Sequence, residues 1–354
     1  MIVGEASGDN EKRDGLPFRP YAQAGSVLER ALANQRVSRR DLSITNLCRC
    51  QPPNNLLEKM PYEIVAITHC SQYLDKEVEK YKPNCLIALG GLALKYLTGM
   101  VGKKKTVSIL RGYVLWSQRY QLPVVPSYHP SFIARGNKEL LGVLGEDIKL
   151  ALDVAQGRAV RGERYVIDPF EEYTNDYILN PSPLEFSHLV SDALSRVDTL
   201  VAYDIETSES IKTEDEEEID SSVDKITQFQ FSQGKRRGVV VPWSDEYIPD
   251  IRRLMGGPNR KLSWNGWRFD KPILNRADVR IEGEDWDLMT LWHWYQGDLP
   301  AGLQYSASFF SFPFPWKHYS SEHPEFYGAV DVDSLWWIYE PLLKRCKELG
   351  IMGL

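Results

Sequence analysis

Apolar residues in the first part of the chain gather in short blocks. Ser43–Leu47, Cys85–Leu89 and Leu122–Ser127 are too short for helices and read as buried strands, and Met1–Val3 reads as one more. Between the blocks, apolar positions recur at helical spacing in Ala24–Ala33, Tyr62–Tyr81 and Gly91–Leu97. This alternation predicts a mostly parallel sheet covered by helices. Lys138–Ala155 follows as an amphipathic helix, with Leu140, Leu141, Leu144, Ile148 and Leu152 at helical spacing. Polar, basic Gly157–Arg164 reads as a linker.

The pattern changes near Tyr165. Asn180–Pro183 is a breaker cluster, and Leu184–Arg196 then reads as a helix. Thr199–Ile205, Ile226–Phe231 and Gly238–Val241 read as strands, with the acidic run Glu214–Asp220 a solvated loop between the first two. From Lys271 onward helical patterns dominate. The expected organisation is a domain over 1–157, a linker over 158–183 and a second domain over 184–354.

Composition narrows the class. The chain has 354 residues, enough for two domains, and 43% hydrophobic with 26% charged residues excludes wholesale disorder. No apolar run reaches the length of a membrane span. Met1–Lys12 carries acids and glycines where a signal peptide would be basic and then apolar. Five cysteines, an odd number, argue against a disulfide framework and point to a reducing cytoplasm. Net charge −7 hides an asymmetry: residues 1–165 hold 24 Lys+Arg against 16 Asp+Glu, and the remainder 18 against 33. A basic half suits a polyanion such as DNA; an acidic half suits a site that gathers cations.

Three chemically useful side chains fall at expected strand ends: Glu5 in Gly4–Gly8, Asn46, and His129 in His129–Ser131, with Gly90-Gly91 ending another strand. In open α/β sheets the carboxyl ends of strands line the ligand crevice, so a carboxylate, an amide and an imidazole should converge there. The segments GEASGDNEKRDGLPF (Gly4–Phe18), ITNLCRCQPP (Ile44–Pro53), HCSQYL (His69–Leu74), KPNCLIALG (Lys82–Gly90), LRG (Leu110–Gly112) and PSYHPSFIAR (Pro126–Arg135) resemble, in order, the uracil-DNA glycosylase superfamily, and most its family-4 branch with an iron–sulfur cluster. The resemblance covers about residues 1–155.

It implies that Phe18 stacks on an extruded uracil, that Asn46 reads the uracil edge, that His129 stabilises charge on departing uracil and that Glu5 positions water or stabilises the sugar cation. Pro130–Arg135, with Ser131 and Arg135, would probe the DNA. Ser7 departs from the proline usual in the first motif. Cys50 and Cys70 match the second pair of ligands of a [4Fe-4S] cluster, but the Cys-x-x-Cys pair that the family places ahead of the first strand is absent, since the chain opens at Met1. Truncation, an internal start and loss or replacement of the cluster each account for this.

In the second half, Asp204 and Glu206 alternate along a strand and share a face. Asn265–Asp270 (NGWRFD) follows, and Tyr327 and Asp331 stand one helical turn apart. Carboxylates so gathered suit hard cations such as Mg²⁺ or Mn²⁺. The ordered motifs DIE, NGWRFD and YGAVD, with Trp286–Phe310 between the last two, resemble the DEDD-type 3′–5′ exonucleases of the tyrosine subclass, in particular the proofreading domain preceding family-A DNA polymerases. The resemblance implies two Mg²⁺ or Mn²⁺ ions held by Asp204, Glu206, Asp270 and Asp331, an attacking water oriented by Tyr327, and an Asn265 that holds the second motif or the substrate strand. Asp285 and Asp287 read as structural.

The expected fold is therefore α/β in two domains: a parallel-sheet glycosylase-like sandwich, then a ribonuclease H-like mixed-sheet exonuclease domain. The expected function is uracil excision joined to 3′–5′ hydrolysis of single-stranded or 3′-end DNA, possible as the front of a family-A polymerase or beside such a subunit, with no membrane partner. A glycosylase-like module that binds DNA without catalysis is the alternative.

Overall fold

The computed structural model describes residues 1–158, 169–208, 225–310 and 312–351. The acidic run Glu214–Asp220 and most of Gly157–Arg164 lie outside these residues. The chain forms two compact units, Met1–Ile167 with Pro313–Pro315, and Asp168–Phe312 with Trp316–Leu354.

The first unit is built on five strands: β1 (Ile2–Ala6), β2 (Ile44–Cys48), β3 (Leu86–Leu89), β4 (Leu115–Ser117) and β5 (Leu122–Ser127). Their order is β2-β1-β3-β5-β4, parallel except for the antiparallel edge β4. Strand order reverses between β1 and β3, the place where such sheets open a crevice. Helices Gln23–Asn34, Glu63–Tyr81, Gly91–Thr98 and Leu140–Ala155 match the helical spacing of the sequence. Val3, Leu47, Leu86, Ala88 and Val124 of the sheet join Ile67, Leu74, Leu92 and Leu97 of the helices in one core. The first strand is longer than its apolar block suggests. Gly4, Glu5 and Ala6 continue the pairing with β2, so Gly4 and Glu5 lie in the strand rather than in a turn after it.

A charged pair sits inside this unit. The Arg111 guanidinium and Asp147 carboxylate are both buried and hydrogen-bonded, with Arg111 Nε 3.1 Å from Asp147 Oδ1. The Ser127 hydroxyl donates to Asp147 Oδ2 at 2.6 Å. The end of β5 is thereby tied to the helix Leu140–Ala155.

The second unit carries six strands: β6 (Ile178–Leu179), β7 (Val201–Thr207), β8 (Ile226–Ser232), β9 (Gly238–Pro242), β10 (Lys261–Ser263) and β11 (Asp285–Asp287). The order is β11-β10-β7-β8-β9-β6. β7, β8 and β9 form an antiparallel meander; β10 and β11 extend it in parallel beside β7, and β6 pairs in parallel with β9. The sheet is mixed, as expected. Phe186 and Val190 of the helix Pro183–Ser195 pack with Tyr203, Phe229, Ile251 and Leu274 in the core.

Three local expectations are corrected here. β6 and the helix Pro169–Tyr173 occupy part of the span read as linker. β10 and β11 were invisible as strands, because a buried Lys261 and the sequence Asp-Trp-Asp carry no apolar block. β11 also interrupts the stretch from Lys271 read as helical. Lys261 is accommodated because its ammonium donates to the carbonyls of Gly257, Asn259 and Glu282, although burial still pushes its pKa down to about 8.

The helix Pro324–Glu348 lies over β7, β8 and β9 and contains Pro341. Close approach depends on Gly238 in β9: a Cβ there would lie 2.8 Å from the Ala329 carbonyl oxygen and 2.9 Å from its Cα.

Arg111→Met should cost the first unit about 3–5 kcal/mol, because it leaves the Asp147 charge buried without its partner. Urea unfolding of the full chain measures this; an unchanged midpoint for the first unit would contradict a buried ionic pair.

Candidate functional site

In the first unit, Asn46 follows from β2 and is buried, and both its amide nitrogen and its amide oxygen lack any hydrogen-bond partner. Such orphaned groups are costly and call for a ligand. Gly4, its neighbour across β1–β2, gives the room: a Cβ at Gly4 would lie 2.3 Å from Asn46 Oδ1 and 2.5 Å from the Phe18 ring.

Phe18 holds a left-handed backbone, φ 49°, which bulky residues rarely adopt. Two charged side chains keep it there. Its N–H donates to the Glu11 carboxylate, which also accepts from Gly8 N at 2.8 Å. Its carbonyl accepts from Arg39 at 2.8 Å, and Arg39 also reaches the Pro17 carbonyl and pairs with Glu29 at 3.1 Å.

The Phe18 ring lies 5.4 Å from the His129 ring. His129 follows β5 and caps the helix Pro130–Ala134. Its Nδ1 accepts from the Ser131 backbone N–H at 3.2 Å, with the Ser131 hydroxyl 2.7 Å away. The neutral ring therefore carries its proton on Nε2, ready to donate. Burial, and then the Arg135 charge, push the His129 pKa down to about 4, so the ring is neutral near pH 7. Glu5 is shifted the other way, raised first by burial and then by the charges of Glu58 and Glu63.

The second unit assembles its acids around the end of β7. Oxygens of Asp204, Glu206 and Asp331 lie within 4.8 Å of one another, an arrangement that could hold a metal ion. Asp270, buried at the start of the helix Asp270–Arg276, accepts from Ile205 N at 3.0 Å and hydrogen-bonds to Asp204. Two carboxyl groups bond in this way only with a proton between them. Burial raises Asp204 to about 6, and burial with the Asp204 charge raises Asp270 and Asp331 well above the usual range. Tyr327 hydrogen-bonds to Asp331 and keeps its proton, its pKa raised by the Asp331 charge and then by burial. The donor set is all oxygen, which fits hard divalent cations.

Other residues of the second motif are structural or local. Asn265 takes a left-handed φ of 65° and its carbonyl starts the turn into Asp270, accepting from Phe269 N at 3.0 Å. Asp287 accepts from the N–H groups of Asn265 and Trp267, and Asp285 pairs with Lys271 at 3.0 Å.

Comparison with known proteins bears on each part. The family model of the uracil DNA glycosylase superfamily matches residues 1–148. The type-4 uracil-DNA glycosylase of Sulfurisphaera tokodaii is 35% identical over 174 residues, 48% of this chain and 74% of that protein. The chain belongs to the uracil-DNA glycosylase superfamily. The type-4 enzyme of Saccharolobus solfataricus is 34% identical and matches over 47% of this chain and 76% of its own length. Among solved structures, Escherichia coli RNase D, an exoribonuclease, aligns with a TM-score of 0.39 at 13% identity, over 50% of this chain. The chain spans about half of that protein, 46%.

The thiols of the glycosylase unit do not make a four-ligand cluster site. Cys48 and Cys70 approach to 3.7 Å, whereas Cys50, expected to pair with Cys70, is exposed. Cys85 precedes β3 at the opposite end of the sheet from Cys48, and Cys346 lies in the second unit. Burial raises the Cys48 and Cys85 thiols to about 11 and about 12. No step below depends on iron.

Sequence reading missed Glu11 and Arg39, which hold Phe18. Their spacing from it, seven and 21 residues, follows no periodicity. The Ser131 hydroxyl lies against His129 Nδ1.

The His129 shift has a signed consequence. The unfolded ring takes up a proton near pH 6.5 and the folded ring only near pH 4, so between them the unfolded state binds more protons. Stability of the glycosylase unit should fall as pH drops from about 6.5 toward about 4, and His129→Asn should flatten that slope; equal slopes in urea unfolding at pH 7 and 5 would contradict it.

Proposed function

We propose that this chain is a DNA-processing enzyme with two active sites, one removing uracil and one removing 3′-terminal nucleotides. The observation that carries the first is the buried, unpartnered amide of Asn46 beside Phe18 and His129.

The uracil ring stacks on Phe18 while the Asn46 amide donates to O4 and accepts from N3–H. A single amide does both, and cytosine presents the opposite pattern at these atoms. As the glycosidic bond breaks, negative charge gathers on uracil O2, and the Nε2–H of neutral His129 donates to it. Glu5, raised toward the range of a general base, takes a proton from the water that adds to the sugar carbon. The products are free uracil and an abasic site.

In the second unit, Asp204, Glu206, Asp270 and Asp331 would hold two divalent ions, Mg²⁺ or Mn²⁺, which when bound polarise a phosphodiester and favour hydroxide. Tyr327 keeps its proton beside Asp331 and orients the attacking water by accepting and donating hydrogen bonds. Water adds to the terminal phosphorus and the 3′-oxygen of the penultimate nucleotide leaves, releasing a nucleoside 5′-monophosphate.

The two sites separate by metal dependence. Single-stranded DNA with one uracil, incubated in EDTA and then treated with alkali, should break at the uracil, and His129→Ala should slow this by at least about 100-fold. With Mg²⁺ and a uracil-free strand, shortening from the 3′ end should vanish in Asp204→Ala. Excision that survives His129→Ala, or digestion that survives in a folded Asp204→Ala protein, would reject the corresponding site. Digestion without excision would leave the first unit as a DNA-sensing module.

A further inference from the structure

Two of the acids at the end of β7 are each touched by an uncharged side chain that contributes an N–H. Gln230 stands directly across from Asp204 in the β7–β8 ladder, and its Nε2 donates to Asp204 Oδ2 at 2.5 Å. Trp316 is buried, and its indole Nε1–H donates to Asp331 Oδ1 at 2.6 Å. Trp316 is itself fixed: the Gln304 side-chain oxygen accepts from Trp316 N at 2.6 Å and from Lys317 N at 2.5 Å. Neither Gln230 nor Trp316 belongs to the sequence motifs that carry the acids.

We infer that Trp316 and Gln230 are positioning residues for the divalent-metal site, each fixing one oxygen of an acid so that the other is aimed at the ion. This rests on the reading of the four acids as metal ligands. The chemistry of the donors is the point. A lysine or arginine in either place would orient the carboxylate but also cancel its charge. An amide and an indole orient without adding positive charge, so the full negative charge of the cluster remains for cations. Partners of this kind commonly set metal affinity by 10–100-fold.

The same helix supplies an internal control. Trp337 is also buried, and its Nε1 donates at 3.3 Å to Asp333, a buried carboxylate that lies outside the metal-binding group. Trp→Phe removes one indole N–H in both cases, but only at Trp316 does the N–H meet a ligand.

The test is Mn²⁺ binding to the full chain without DNA, read as free Mn²⁺ by electron paramagnetic resonance. Trp316→Phe should weaken Mn²⁺ binding by about tenfold or more, Gln230→Met by a similar factor, and Trp337→Phe should leave it as in the wild type. Asp204→Ala should remove tight binding. Raising Mn²⁺ should restore most of the turnover number of Trp316→Phe, since the donor acts on affinity for the ion. Wild-type Mn²⁺ affinity in folded Trp316→Phe and Gln230→Met proteins, with binding lost in Asp204→Ala, would overturn the positioning role and leave the metal site standing. Wild-type binding in Asp204→Ala would overturn the metal reading itself. If Trp316→Phe does not fold, Gln230→Met decides alone by the same criterion.

Discussion

Like charges that share a small, poorly hydrated volume repel strongly, and four carboxyl groups meet at the end of β7. Burial first, and then that crowding, set the cost: burial raises Asp204, burial with the Asp204 charge raises Asp270 and Asp331, and the Asp331 charge with burial raises Tyr327. The fold tolerates the cluster because its neighbours are arranged for it. An antiparallel meander sets Asp204 and Glu206 on one face, a short helix brings Asp270 to the Ile205 amide, and the glycine at 238 lets the long helix settle close to the strands. A cation among them would relieve the repulsion, and an all-oxygen donor set suits a hard one.

The glycosylase unit solves the reverse problem. Its crevice must receive a neutral base and then tolerate a charge on it. It offers polar groups without formal charge: an amide with nothing bonded to it and an imidazole whose tautomer is fixed by the backbone of Ser131. Charged residues stand behind. Glu11 and Arg39 spend their charge on the backbone around Phe18, holding an aromatic residue in a conformation it would otherwise leave.

Much of this was legible in the chain. Strands with apolar blocks and helices with clean periodicity fall close to where the pattern puts them, and His129 follows a strand as expected, whereas Asn46 lies within β2 rather than at its end. Contacts made at a distance were not legible. Only the folded chain shows whose oxygens Trp316 and Gln230 meet. The approach of Cys48 to Cys70, 3.7 Å between their sulfurs, likewise shows only in the folded chain. Lys261 misled for a physical reason: a lysine capped by three carbonyls can sit in a strand core, but composition marks it as surface.

Pro341 divides the long helix that carries Tyr327 and Asp331. Pro341 lacks an N–H, so the carbonyl of Trp337 has no helical partner and the rod is weakest there. Tyr327 and Asp331 lie on the near side of that weak point. A helix bends most readily at such a break, which leaves the turns bearing Tyr327 and Asp331 uninterrupted.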